Sequence, residues 1–260
     1  MRLKTYIINL EKSTIRKQYM QELLKPYTFL DVEFIKAIDG RLLSEEERKT
    51  LFDYQKSRKL YGRVLNEGEV GCALSHRKVY EELLRGKDLY ALVLEDDVAI
   101  QRDLNSLYLS KVDKVLNSTK PRVLMMSGDY CYYRKRPIIK TVFALGAYAY
   151  IINKAAARLI LEKTRACCVA DDWVYYRRIG LRLFAVYPYM IDANLNMELL
   201  SSDVKQDTWG INRSQMPFKE NLFRAITGIT LKFFKRIDHF EYKIFIYQNT
   251  IYPIKLKRRV

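Results

Sequence analysis

Two histidines and four cysteines are all that 260 residues offer in soft metal ligands. No pair is spaced Cys-x-x-Cys, and the adjacent Cys167 and Cys168 are poorly placed to bridge each other. A zinc centre and a disulfide framework are both disfavoured; reduced, buried thiols in a cytosolic protein are expected. No uncharged apolar run reaches the roughly 20 residues a membrane span needs. The opening Met1-Arg-Leu-Lys-Thr-Tyr-Ile-Ile-Asn-Leu10 reads as a strand, its apolar run being too short for a signal peptide. The expected location is cytoplasmic or peripheral, on the cytoplasmic face of an inner membrane. Internal repeats and low-complexity tracts are absent. Acidic residues are also short: 30 Asp and Glu against 46 Lys and Arg leave a formal charge of +16. Such a chain seeks polyanions, whether nucleic acid, anionic lipid or phosphorylated ligands.

What is present describes a folded protein, with 49% hydrophobic and 29% charged residues. The length suits one large α/β domain with an appendage. We expect a domain over 1–214 and a basic segment over 215–260. That segment carries ten Lys or Arg against three Asp or Glu. In it Leu222, Ile226, Ile229, Phe233, Ile237, Phe240 and Ile244 recur at steps of three or four, the pattern of a basic amphipathic helix. Its apolar face either packs on the domain or lies on a membrane.

Leu3–Leu10 and Val32–Ala37 read as strands around a helix of about residues 14–25, a βαβ unit that implies a parallel sheet. Ser44-Glu-Glu-Glu47 fits a capping box. Residues 53–66 lack a clear period and are expected to form a surface loop. Glu67-Gly-Glu-Val-Gly-Cys-Ala-Leu-Ser-His76 opens a helix, with glycines permitting close backbone approach and free amides suited to an anion. On residue type alone His76 reads as a core histidine and Glu69 as a helix-dipole residue. Leu89-Tyr-Ala-Leu-Val-Leu-Glu-Asp-Asp97 has the character of a buried parallel strand delivering three acids to its carboxyl end. Open α/β sheets bind ligands there. Crowded carboxylates repel unless a cation sits among them. A hard divalent ion held by one or two carboxylates plus substrate phosphates satisfies that need. An acidic turn is the alternative. Downstream, Arg122–Met126, Thr141–Leu145, Ala147–Ile152 and Leu183–Tyr187 read as strands. Asp103–Asn117 and Lys154–Lys163 read as helices, the latter capped by Asn153. Asp171-Asp172-Trp173 is a second paired-acid site.

Taken in order, Tyr6-Ile-Ile-Asn-Leu10 with Arg16, Ala37-Ile-Asp-Gly40, Gly68–His76 and Leu92–Val98 resemble glycosyltransferase family 25. These are the lipooligosaccharide-type galactosyltransferases and their collagen-modifying relatives. Gly146–Asn153, Asp171-Asp172-Trp173 and Ser202-Asp203 extend the likeness, which covers about residues 3–204. The resemblance implies a GT-A, Rossmann-like α/β fold with a central, mostly parallel sheet. It further implies an inverting hexosyltransferase that uses a UDP-sugar, galactose by expectation, and a divalent metal, Mn2+ by expectation. Asp97 stands as the direct metal ligand with Glu95, while Glu95 and Asp96 contact metal, ribose or water. Asn9, Leu10, Arg16 and Asp39 stand where nucleotide base and ribose bind, and Glu69, Ser75 and His76 shape the sugar or diphosphate pocket. Asp171 or Asp172, ahead of Asp129, takes the acceptor hydroxyl's proton. Trp173 offers either a face for the acceptor sugar or a core side chain. A surface glycan such as lipopolysaccharide is the expected acceptor, and no nucleic acid is expected as a partner. A basic nucleic-acid-binding protein, favoured by the charge and the 20 tyrosines, and an inactive transferase-like scaffold are the alternatives.

Overall fold

The structure is a computed structural model. It describes residues 2–106, 109–128, 130, 136–194, 213–220, 222 and 224, with two short paired strands at Ile246–Tyr247 and Thr250–Ile251. The unit starts as β1 (Leu3–Asn9), α1 (Thr14–Leu24) and β2 (Leu30–Lys36). β2 pairs with β1 in parallel, as the βαβ reading requires. Ser13 precedes α1 without making a side-chain cap. Ser44 does close the expected capping box, with Glu47, on α2 (Glu45–Leu51).

The expected surface loop over 53–66 is instead largely helix. Asp53 caps α3 (Tyr54–Tyr61), and Ser57, Leu60 and Tyr61 are buried. The lysines and arginines around those positions mask a short apolar face that only packing reveals. α4 (Glu67–Arg85) follows, capped by Asn66 and buried along Val70, Ala73, Leu74, Val79 and Leu83.

β3 (Tyr90–Glu95) lies beside β1 in parallel. After it come the short β4 (Val98–Ile100), α5 (Leu109–Leu116), β5 (Arg122–Met125), β6 (Ile138–Thr141) and β7 (Ala149–Asn153). α6 (Lys154–Lys163), α7 (Trp173–Arg178), β8 (Arg182–Val186) and β9 (Ile191–Ala193) complete the domain. Two readings shift here. The helix expected over 103–117 is a 3-10 turn at Leu104–Ser106 and then α5. The strand expected at Thr141–Leu145 lies earlier, because Ile138–Thr141 finds a free edge on β8.

The seven-stranded sheet runs β2-β1-β3-β7-β5-β8-β6. β7 and β6 are antiparallel to their neighbours, and the other five strands point one way. This is the α/β architecture, a mostly parallel sheet between helices, that the GT-A resemblance implies. β3 and β7 are buried almost end to end, as strands covered on both faces must be. One core lies between the sheet and α4, α6 and α7, and the other lies on the α1 and α5 side.

Asn153 ties this frame together. Its carbonyl oxygen accepts from Ala156 N–H, capping α6, and from Arg122 N–H at the start of β5. Its amide donates to the carbonyls of Leu116, Ser118 and Lys120. Asn153→Ala removes a cap and strands several buried polar groups. It is expected to lower stability by roughly 2–4 kcal/mol, read as a lower urea midpoint. An unchanged midpoint would show that water replaces these bonds at no cost.

Candidate active site

The carboxyl ends of β1, β2 and β3 open on a cleft that spans about 650 Å³ with the open solvent at its mouth, walled by the first turns of α4. Leu10 and Arg16 line it from beyond β1, Asp39 from beyond β2, Ser75 and His76 from α4, Glu95 from the last position of β3, and Asp96 and Asp97 from just beyond it. Eight of the residues singled out from sequence therefore share one cavity, at the place where parallel sheets bind ligands.

The wall is set by backbone contact between the 37–40 loop and α4. A Cβ on Gly40 would sit 1.9 Å from the Glu67 carbonyl oxygen, and one on Gly71 would sit 2.5 Å from that of Ile38. Ser75 accepts from Ile38 N–H at 2.8 Å and donates to the Gly71 carbonyl at 2.7 Å, clamping the loop to the helix. Ser75 thus shapes the cleft chiefly by holding the loop. Glu69 lies outside the lining. It is buried, pairs with both terminal nitrogens of Arg63 and accepts from Asn66 N–H, closing a second capping box. Asp39 is held well below the usual carboxylate range by the Arg41 guanidinium and by Lys12 at 2.9 Å, against the cost of burial. These contacts set two cations at one edge of the cavity.

The three acids of the Glu95-Asp96-Asp97 run have separate partners. Asp96 is buried and accepts from the Asn9 amide at 2.6 Å and from Arg16 at 3.1 Å. Burial raises its pKa, and Asn9 and Arg16 oppose that rise. Glu95 meets His76 Nε2 at 3.2 Å. His76 is fully buried, and its Nδ1 shares a 2.7 Å hydrogen bond with the Tyr150 hydroxyl, which is 2.8 Å from that of Tyr80. The core-histidine reading holds, and the same buried ring touches a carboxylate that lines the cleft. Asp97 is half-buried and pushed up to about 7, first by burial and then by Glu95 and Asp96. Its main-chain carbonyl accepts from Asn194 N–H at 2.9 Å, next to the β4–β9 ladder.

Oxygen donors crowded enough to hold a proton near neutrality are the donor set a hard divalent cation favours. Glu95 and Asp97, which both line the cleft, offer such oxygens. Cys72, one helical turn before His76, brings its thiol into the same neighbourhood: ligand atoms of Cys72, His76 and Glu95 all lie within 4.8 Å of one another. The shortage of histidine and cysteine concealed this grouping; the four-residue spacing was its signal. Burial, then Glu95, Asp171 and Asp97, push the Cys72 thiol well up. Cys72, Cys167 and Cys168 are free thiols, as expected, and Cys131 lies outside the described residues.

The second acid pair divides. Asp172 caps α7, accepting from Tyr175 N–H at 3.0 Å. Its other oxygen receives the Tyr61 hydroxyl at 2.7 Å and Arg224 at 2.9 Å. The Asp171 carboxylate accepts the Gly146 N–H at 3.2 Å, receives neither Tyr61 nor Arg224 among the described contacts, and is pushed up to about 6 by burial and by Asp172. Glu95 also acts on Asp171 electrostatically, but neither Asp171 nor Asp172 is among the residues that line the cleft. Gly146, at φ +70°, takes the Trp173 indole N–H on its carbonyl at 2.8 Å. Trp173 itself is fully buried, edge-on to Tyr150 at 5.1 Å, which corrects the idea of an acceptor platform. Asp129 and Ser202-Asp203 lie outside the described residues.

A sequence model of glycosyltransferase family 25, described as an LPS biosynthesis protein family, matches residues 2–175, more than half of the chain. The chain belongs to glycosyltransferase family 25. A family 25 member from Aedes aegypti is 34% identical over 175 residues, covering 61% of this chain and 28% of that protein. Procollagen galactosyltransferase 1-A of Xenopus laevis is 30% identical over 172 residues, with the same two coverages of 61% and 28%. The match thus spans less than a third of those relatives' length. A Bos taurus relative, 25% identical over 171 residues and covered over 28% of its length against 61% of this chain, is named "Probable inactive glycosyltransferase 25 family member 3". Among solved structures, a glycosyltransferase involved in glycosylation of the major capsid of PBCV-1 superposes with a TM-score of 0.42 at 13% identity. That match covers 76% of this chain and 94% of the other. With a score below 0.5, the architecture rests on the sheet order itself. No helix among the described residues is long and apolar enough to cross a membrane.

Proposed function

We propose that this family 25 chain is an active, metal-dependent, inverting glycosyltransferase that moves a hexose from a UDP-sugar to a hydroxyl of a surface glycan. The observation that carries the proposal is the cleft at the carboxyl ends of β1, β2 and β3, where Glu95 and Asp97 face open space beside bound-up Asp96. A scaffold has no physical reason to keep Asp97 where burial and two neighbouring acids raise its pKa to about 7.

Glu95 and Asp97 would hold a divalent ion, with Mn2+ our choice. When bound, the metal neutralises the charge that builds on the departing diphosphate. Asp96 fixes the turn by tying Asn9 and Arg16 to the end of β3. Leu10, Arg16 and Asp39 border the nucleoside, and Lys12 and Arg41, already drawn to Asp39, add positive charge at its edge. Ser75 holds the loop wall, and His76 orients Glu95. Asp171 is the acceptor base: its carboxylate is the less occupied of the pair and is tuned towards neutrality. Asp172, with both oxygens filled, positions α7 and the Tyr61 side. Galactose is the proposed donor sugar, and a lipopolysaccharide-type glycan on an anionic leaflet is the proposed acceptor, in keeping with the +16 charge.

The test is a screen of UDP-hexoses with and without Mn2+, scored for sugar release and for transfer to lipooligosaccharide. UDP-galactose is expected to bind and react only with metal present. Equal turnover in a chelator would overturn metal dependence. Tight, steeply salt-dependent binding to nucleic acid with no UDP-sugar binding would favour the nucleic-acid alternative.

A further inference from the structure

Arg224 lies far beyond residues 2–175, the part matched by the family model. Its side chain is nevertheless buried, at 9% exposure, and reaches the second acid pair. The segment that carries it runs through a 3-10 turn at Arg213–Gln215 and a buried Met216. Glu220, also buried, is gripped from both sides, by Arg178 of α7 and by Arg224 Nε at 3.1 Å. The Arg224 guanidinium lies over the Tyr61 ring, 5.3 Å from its centroid, and donates to Asp172 at 2.9 Å. Tyr61 donates to the same carboxylate oxygen and accepts from Val169 N–H at 3.2 Å. A chain of charges, Arg178–Glu220–Arg224–Asp172, therefore runs from the C-terminal segment to the residue next to Asp171.

The geometry points to Arg224 as a positioning residue that neutralises Asp172 and thereby keeps Asp171 ionised at neutral pH. The inference rests on the reading of Asp171 as acceptor base. Its physical basis is the neighbourhood of the two acids. Asp171 feels the Asp172 and Glu95 carboxylates and interacts with the Cys72 thiol of α4, while the Gly146 N–H donates to its carboxylate. Asp172 faces the Tyr61 hydroxyl of α3, the Cys168 thiol, Tyr175 of α7 and Arg224. Among the described residues, Arg224 is the one cation in these groups. A buried carboxylate stripped of its cation repels a neighbouring carboxylate more strongly, so Asp171 would hold its proton to higher pH. The fold thus uses a segment outside the matched region to set the working pH of a base inside it.

The experiment follows the titration of Asp171 by NMR in protein carrying 13C at the aspartate carboxyl, with Asp171→Asn identifying the signal. Arg224→Met is expected to raise the Asp171 midpoint by about one pH unit. Arg224→Lys should restore most of the shift. Asp172→Asn combined with Arg224→Met should bring the midpoint back to or below that of the wild type. That pair removes the repelling charge along with its partner, so it also guards against a poorly folded single variant. An unmoved midpoint in folded Arg224→Met overturns the inference, as does a shift that the double variant retains. The acid limb of transfer, measured on the same proteins, should move with the midpoint. If the NMR shift appears while the rate profile stays fixed, the assignment of Asp171 as base fails and the electrostatic role of Arg224 stands.

Discussion

Asp97→Ala is expected to lower sugar transfer by a factor of about a thousand or more. A metal that stabilises developing diphosphate charge contributes several kcal/mol, and each 1.36 kcal/mol is a factor of ten. The fold should survive the change. The Asp97 main chain is held by Asn194 N–H through its carbonyl, independently of the carboxylate. Burial, Glu95 and Asp96 raise the folded pKa of Asp97 to about 7. The sign follows from that rise. Above about pH 7 the ionised group costs folding energy, and between there and its ordinary range protonation relieves the cost. Metal-free Asp97→Ala should therefore melt at the same temperature as the parent or higher at pH 8. Added Mn2+ should raise the melting temperature of the parent and leave the variant unchanged. Undiminished transfer by Asp97→Ala would remove the central claim about the cleft.

Asp171→Asn is the second large effect. Losing a positioned general base costs about 10²–10⁴ in rate. The loss should fall on kcat, because the proposed nucleotide-sugar site is the cleft at the ends of β1 to β3, which Asp171 does not line. UDP-sugar binding should therefore persist. With Asp171 as the proposed base, its ionised form is the active one, so transfer is expected to fall as pH drops through about 6, the value set by burial and Asp172. Asp172→Asn should behave differently. It removes the Asp172 charge from buried Arg224, leaving Glu220 as that guanidinium's carboxylate partner, so its main sign is a lower melting temperature. Full activity in Asp171→Asn with an unchanged acid limb would assign the base elsewhere.

How much of this was legible beforehand depended on the range of the interaction concerned. The strand that ends in Glu95-Asp96-Asp97 was visible because an unbroken apolar run followed by acids is a local pattern. Ser44 and Asn153 were visible as caps because a cap acts on an amide three residues away. The glycines near the start of α4 signalled close approach, although their contact, the Gly40 loop, lay about thirty positions upstream. α3 was missed because its burial depends on a neighbour that the local sequence does not mention. The strand near 138–141 was misplaced because its partner β8 lies some forty residues ahead.

The sequence by itself determined the family, the βαβ start, the strand that ends in three acids and eight of the residues that line the cleft. These rest on periodicity, capping and motif spacing, all encoded within a few residues. Tertiary structure alone separated Asp171 from Asp172, which are chemically identical and adjacent. Tyr61, 111 positions away, and Arg224, 52 positions away, both reach Asp172, and neither is described on Asp171. The same long-range packing set His76 behind Glu95, brought Cys72 beside them and buried Trp173. The physical reason is that a carboxylate's role follows from which donors and charges surround it, and those come from parts of the chain that meet only when the sheet is assembled.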